Sequence, residues 1–191
     1  MRVAGATIVG IALAALGAGS APGAISPART VLDVGDSLSV GAGPYLQARL
    51  RGYRIEPAYD VGLHAYDAAA IVSRTRPLPS RLVVSAGTND DPRIVATFVQ
   101  SISTILTRAG RERCVVWSTI VRPPAVGATY DGFNRALARA AERHRNLVLV
   151  DWVGMVHRHP EWLAADGVHV TSSGYRTRAA AIADAVVHRC S

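Results

Sequence analysis

Four short segments of the sequence carry groups suited to acyl-transfer chemistry. They are Gly35-Asp36-Ser37, Asp60-Val61-Gly62, Gly87-Thr88-Asn89-Asp90 and Asp166-Gly167-Val168-His169. A serine hydroxyl is a weak nucleophile until a base removes its proton in the transition state. His169 is the candidate base for Ser37, and it would later protonate the leaving alkoxide. Asp166, three residues earlier, could hold the imidazole tautomer and stabilise the imidazolium. Singly, each segment has a plainer explanation. Gly-Asp-Ser can be a surface turn, Asp-x-x-His a capped turn, and Asn89 an Asx-turn leading into Asp91-Pro92. The weight lies in their order and in where each one falls.

Five β-type runs set those places: Thr30–Val34, Tyr53–Pro57, Leu82–Ala86, Val115–Ile120 and Leu147–Val150. Helical candidates lie between and after them at Pro44–Leu50, Ala65–Ser73, Pro92–Arg108, Asp131–His144 and Ser172–Arg189. The third carries Ile94, Val95, Phe98, Ile102, Ile105 and Leu106 at helical spacing. Asp91-Pro92 suggests an N-cap followed by proline at the first helical position, and Thr171 a cap for the last helix. Continuous Val/Leu/Ile strands alternating with helices predict a parallel five-stranded sheet in a three-layer α/β/α sandwich. In such sheets the site lies beyond the carboxyl ends of the strands, which is where the four segments fall. The N-terminus of the helix that follows Ser37 would also favour developing negative charge.

Composition narrows the function classes. The chain has 191 residues, 49% apolar and 18% charged, enough for one domain with a real core. All 21 basic residues are arginine and the formal charge is +7. The arginines are scattered rather than concentrated on one element, which argues against nucleic-acid binding. No phosphate-binding glycine loop or other cofactor motif is present. His64, His144, His157, His159 and His188 lack metal-ligand spacing, so no metal and no cofactor are expected. Asp36 is expected to fix its turn by local hydrogen bonding, and Trp117 to lie in the core. Trp152 and Trp162 fit equally well a wall for a sugar ring or packing beneath the loop to Asp166.

Residues 1–24 have the pattern of a secretory leader. Met1-Arg2 is followed by apolar Val3–Ala18 and the small-residue segment Gly19–Ala24. A membrane anchor competes with this reading, but the apolar stretch is shorter than the ~20 residues that span a bilayer. The expectation is therefore a leader over 1–24, a single domain over 25–191, and no stable membrane insertion after cleavage. In an exported protein Cys114, which opens a strand, and Cys190, which ends the last helix, would meet at the non-catalytic edge of the sheet. A bridge is favoured there over two free thiols.

The blocks Gly35-Asp36-Ser37-Leu38, Gly62, Gly87-Thr88-Asn89-Asp90 and Asp166-Gly167-Val168-His169 resemble those of the SGNH/GDSL hydrolases. The resemblance covers nearly all of residues 25–191. Asn134-Arg135-Ala136-Leu137, Leu149-Val150-Asp151-Trp152 and Asp166–Thr171 are also similar to the extracellular SGNH domain of peptidoglycan O-acetyltransferases, although Ser172-Ser173 stands where that subfamily commonly has Pro-Glu. The resemblance implies a flavodoxin-like fold and a catalytic set of Ser37, Asp166 and His169. It also implies an oxyanion hole from the Ser37 N–H, the Gly62 N–H and the Asn89 amide. The implied function is a secreted or envelope-located serine esterase, expected to be monomeric and to act on small acyl esters or acylated carbohydrate. An O-acyltransferase with the same catalytic groups is the alternative, and a non-catalytic polysaccharide-binding module a more distant one. The lack of a further membrane part tilts the expectation toward hydrolysis.

Overall fold

The computed structural model describes residues 29–190. The expected leader over 1–24 lies outside them. Five strands, β1 (Thr30–Gly35), β2 (Arg54–Tyr59), β3 (Arg81–Ser85), β4 (Cys114–Ser118) and β5 (Leu147–Val150), form one parallel sheet in the order β2-β1-β3-β4-β5. This is the flavodoxin-like doubly wound order, and the crevice between β1 and β3 is its switch point. Pro57 is tolerated in β2 because that strand is an edge.

The helices are α1 (Ser37–Arg49), α2 (Ala65–Arg74), α3 (Val95–Ala109), α4 (Asp131–Arg143), α5 (Trp152–Arg158) and α6 (Ser172–Asp184). A 3-10 turn covers Pro160–Trp162, and a π turn at Ala185–Arg189 continues α6. Successive strand residues face opposite layers. Leu32, Val34, Leu82, Val84, Val115 and Trp117 pack with Phe98, Ile105 and Phe133 on the α2/α3/α4 side. Val31, Val83, Val116 and Val148 pack with Ala42, Leu46, Ile182 and Val186 on the α1/α6 side.

Two local expectations need correction, and one helix was not expected. Helix α1 begins at Ser37, not Pro44, and runs through Gly41, Gly43 and Pro44. Its glycines cost ~1 kcal/mol each and the internal proline ~3 kcal/mol. Burial of Leu38, Leu46 and Leu50 at roughly 2 kcal/mol each is of the size needed to offset that. Gly41 also lets α6 approach closely, since a Cβ there would lie 2.2 Å from the Tyr175 ring. Helix α3 begins at Val95, because Asp91 does not cap it. Its carboxylate binds the Arg93 guanidinium at 2.6–3.1 Å and the Arg93 N–H at 3.0 Å, closing a separate turn. Ile94 consequently lies outside the helix and is exposed. Helix α5, unforeseen, is capped by Asp151, whose Oδ1 accepts the Gly154 N–H.

Cys114 and Cys190 form a disulfide that closes a 76-residue separation at the amino-terminal edge of the sheet. Among the described residues no helix is long and apolar enough to cross a membrane.

Candidate active site

The turn from β1 into α1 presents Ser37. The Asp36 N–H donates to Ser85 O at 2.9 Å, which fixes the turn against the end of β3. The Asp36 side chain then caps α1 by accepting the Leu38 N–H at 2.9 Å, a device worth about 1 kcal/mol. Ser37 is the first residue of the helix, with its N–H at the positive end of the helix dipole. Among the described residues neither the Ser37 N–H nor the Gly62 N–H has an acceptor.

His169 arrives on a short hairpin between α5 and α6. Leu163 bridges Val170, Ala164 N–H donates to His169 O at 2.9 Å, and Thr171 N–H donates to Trp162 O at 2.8 Å. The hairpin is anchored at its base by Thr171, which caps α6 through the Gly174 N–H. His169 Nε2 lies 3.0 Å from Ser37 Oγ, and His169 Nδ1 lies 2.6 Å from Asp166 Oδ2. The other Asp166 oxygen accepts the Val168 and His169 N–H groups, both at 2.9 Å. The hydrogen bond with the His169 ring, reinforced by those two N–H groups, holds the Asp166 carboxyl down at about 2. The side chains of His169 and Asp166 are 46% and 51% exposed, so the site is open to water.

The loops after β2 and β3 meet beside Ser37. Asp60 N–H donates to Gly35 O at 3.1 Å, and Asn89 Nδ2 donates to Leu63 O at 3.2 Å. Asp90 Oδ2 accepts the Ala65 N–H at 2.9 Å. Gly62 has φ +80°, a conformation that L side chains avoid, although a Cβ there would meet open space. Arg122 donates through Nη1 to Thr88 O and, at 3.4 Å, to Asn89 Oδ1. That contact sets the amide with its nitrogen away from Arg122. One Asn89 N–H is used by Leu63 O, and the amide has a second to offer.

The structure thus brings Ser37, His169 and Asp166 into one hydrogen-bonded chain and places Gly62 and Asn89 on adjoining loops. Cys114 and Cys190 lie at the opposite edge. Trp117 and Trp152 are fully buried. Trp162 stacks on Trp152 at 6.1 Å and on His159 at 4.2 Å, so Trp152 packs beneath the loop and does not form a wall. Three buried charged groups went unrecognised in the sequence: Asp33 and Arg178, each 2% exposed, and the fully buried Asp36 in its electrostatic role. Arg178 is one arginine among many, and its only signal is a place on the inner face of α6.

Several solved structures share this fold. The catalytic domain of a Streptococcus pneumoniae peptidoglycan O-acetyltransferase (OatA), carrying a methylsulfonyl adduct, superposes with a TM-score of 0.66 at 24% identity, covering 83% of this chain and 90% of that one. A catalytic variant of an acetylxylan esterase from Geobacillus stearothermophilus superposes with a TM-score of 0.67 at 16% identity, covering 83% and 94%. The fold is that of the SGNH/GDSL hydrolases. In sequence, the chain is 30% identical over 146 residues to a candidate O-acetyltransferase of Staphylococcus aureus strain COL, covering 74% of this chain. It spans only 22% of that relative's length. No family model matches the chain.

Proposed function

We propose that this chain is an exported serine esterase that removes small acyl groups, above all acetyl, from carbohydrate or cell-wall material. The observation that carries the reading is the continuous contact from Ser37 Oγ through His169 to Asp166, at 3.0 and 2.6 Å. In this reading His169 accepts the Ser37 proton as the hydroxyl oxygen bonds to the ester carbonyl carbon. The tetrahedral oxyanion meets the Ser37 and Gly62 N–H groups and the Asn89 amide. His169 then protonates the departing sugar alkoxide, releasing the sugar hydroxyl and leaving Ser37 acylated. Water, activated by the same imidazole, releases the acid and restores the serine. Residues 25–191 would form a single catalytic domain behind a cleaved leader over 1–24.

Acyl transfer to a sugar hydroxyl is the second reading, favoured by the names of the relatives. The open site favours water as acceptor, because nothing in the exposed His169–Asp166 pair excludes it. Purified protein incubated with an acetyl ester, with and without a chitooligosaccharide, separates the two. Release of acetate at an unchanged rate supports the esterase. Acetate appearing on the sugar at the expense of hydrolysis supports the transferase. A protein inert toward every ester but retained by the glycan would instead be a binding module.

A further inference from the structure

We infer that Arg178 is a positioning residue for the nucleophile, acting through Asp36, an inference that rests on the Ser37 reading above. Three ionisable side chains are buried beneath Ser37: Asp33, Asp36 and Arg178. Asp33 occupies a strand position on the face where Val31, Val83 and Val116 are apolar, and it accepts the Ser39 hydroxyl at 3.2 Å. Buried charge is unfavourable unless it is answered locally. Arg178 supplies the answer from α6, one turn after Gly174 and one before Ile182 on the buried face.

Its guanidinium is held from two sides. Nη2 donates to Ser85 Oγ at 3.1 Å, and the group lies 5.2 Å from the Trp152 ring centroid. Ser85 also supplies the backbone oxygen that accepts the Asp36 N–H. One residue therefore ties Arg178 to the turn that presents Ser37. Nε and Nη1 of Arg178 have no hydrogen-bond partner among the described residues. The cation consequently works through its field, felt first by Asp36 and then by Asp33.

Burial pushes the Asp36 carboxyl up. The Leu38 N–H, the Arg178 charge, the Thr88 hydroxyl and His169 pull it back. The remaining groups facing the pair are Asp33 on β1 and Tyr175 on α6. Burial pushes Asp33 up to about 7, with the Ser39 hydroxyl and then the Arg178 charge pulling it back. Asp36 is favoured as a carboxylate by the Arg178 charge. It then holds the first turn of α1 and faces the imidazolium that forms on His169 as Ser37 attacks. Without Arg178 the carboxylate form of Asp36 is less favoured, and both supports weaken.

The test compares wild type, Arg178→Met, Arg178→Lys, Asp36→Asn and the Asp36→Asn/Arg178→Met pair on a small acetyl ester. Rates are measured from about pH 6 to about pH 8.5, with melting curves for each protein. Arg178→Met should lose about tenfold in kcat at the acidic end with KM within about twofold. The loss should shrink as pH rises and Asp36 regains its charge. In the Asp36→Asn background the same change should cost nothing further, because its target is already neutral. A loss equal at every pH, or equal in both backgrounds, overturns the inference. Should Arg178→Met fail to fold, Arg178→Lys decides: a rate within about threefold of wild type with an unshifted profile supports it, and a uniform tenfold loss overturns it. Ser37→Ala turning over at the wild-type rate would instead sink the Ser37 reading, an outcome separate from any of these.

Discussion

Asp166 serves His169 twice: one carboxylate oxygen accepts the His169 backbone N–H at 2.9 Å, and the other meets the ring Nδ1 at 2.6 Å. A capped turn and a catalytic pair are competing explanations of Asp-x-x-His in a sequence. Here one carboxylate makes the contacts of both, since the turn that it caps is what brings the ring within reach of its second oxygen.

Asp166→Asn therefore separates the two jobs. The amide oxygen can still accept the Val168 and His169 N–H groups, so the hairpin should survive and melting should change little. The amide nitrogen cannot hold the correct imidazole tautomer, and kcat should fall by about 10³–10⁴. A fall below tenfold would show that Asp166 only shapes the turn.

The buried Asp33 predicts a pH dependence of stability. Burial pushes its carboxyl from 3.8 to about 7, so between those values the folded chain holds a proton that the unfolded chain has released. Stability from this group is full below the unfolded value and is lost as pH rises through about 7. Asp33→Asn can keep the Ser39 contact without ionising. It should raise the melting temperature relative to wild type at about pH 8 and do so much less at about pH 4. An equal shift at both pH values would contradict this.

The Cys114–Cys190 disulfide should matter for stability alone. Closing a 76-residue separation is worth ~4 kcal/mol in the chain-entropy model. The Cys114→Ser/Cys190→Ser pair should unfold at markedly lower denaturant concentration while kcat under native conditions stays within about twofold. Loss of activity without loss of stability would mean that the bridge communicates with the far edge of the sheet.

The proposed oxyanion donors differ in what their removal should do. Asn89→Ala deletes a side-chain donor and should cost about a hundredfold in kcat with little change in KM. Gly62→Ala keeps its N–H and meets no neighbour, but it forces an L residue to φ +80°, a strain of roughly 1–2 kcal/mol. It should lower stability as well as rate. If Asn89→Ala is as active as wild type, its amide serves only to tie the loop through Leu63 O.

Four of the five strands were legible as Val/Leu/Ile-rich runs in an alternating chain, while the β2 run has only Ile55 of that kind. Ser37, Asp166 and His169 were legible because each falls just beyond a strand end or in the loop before α6. Helix α1 was obscured by Gly41, Gly43 and Pro44, whose poor propensity is overridden by packing against α6. The false start of α3 arose because Arg93 competes for the Asp91 carboxylate that would have capped it. Arg178 could not be distinguished from surface arginines, since its role depends on two carboxylates brought near it only by folding.

The most direct test of the central claim is to react the protein with a fluorophosphonate and map the modified peptide by mass spectrometry. The account predicts a single adduct on Ser37, absent from Ser37→Ala and strongly slowed in His169→Ala. An adduct on another residue, or none while ester turnover continues, would contradict it.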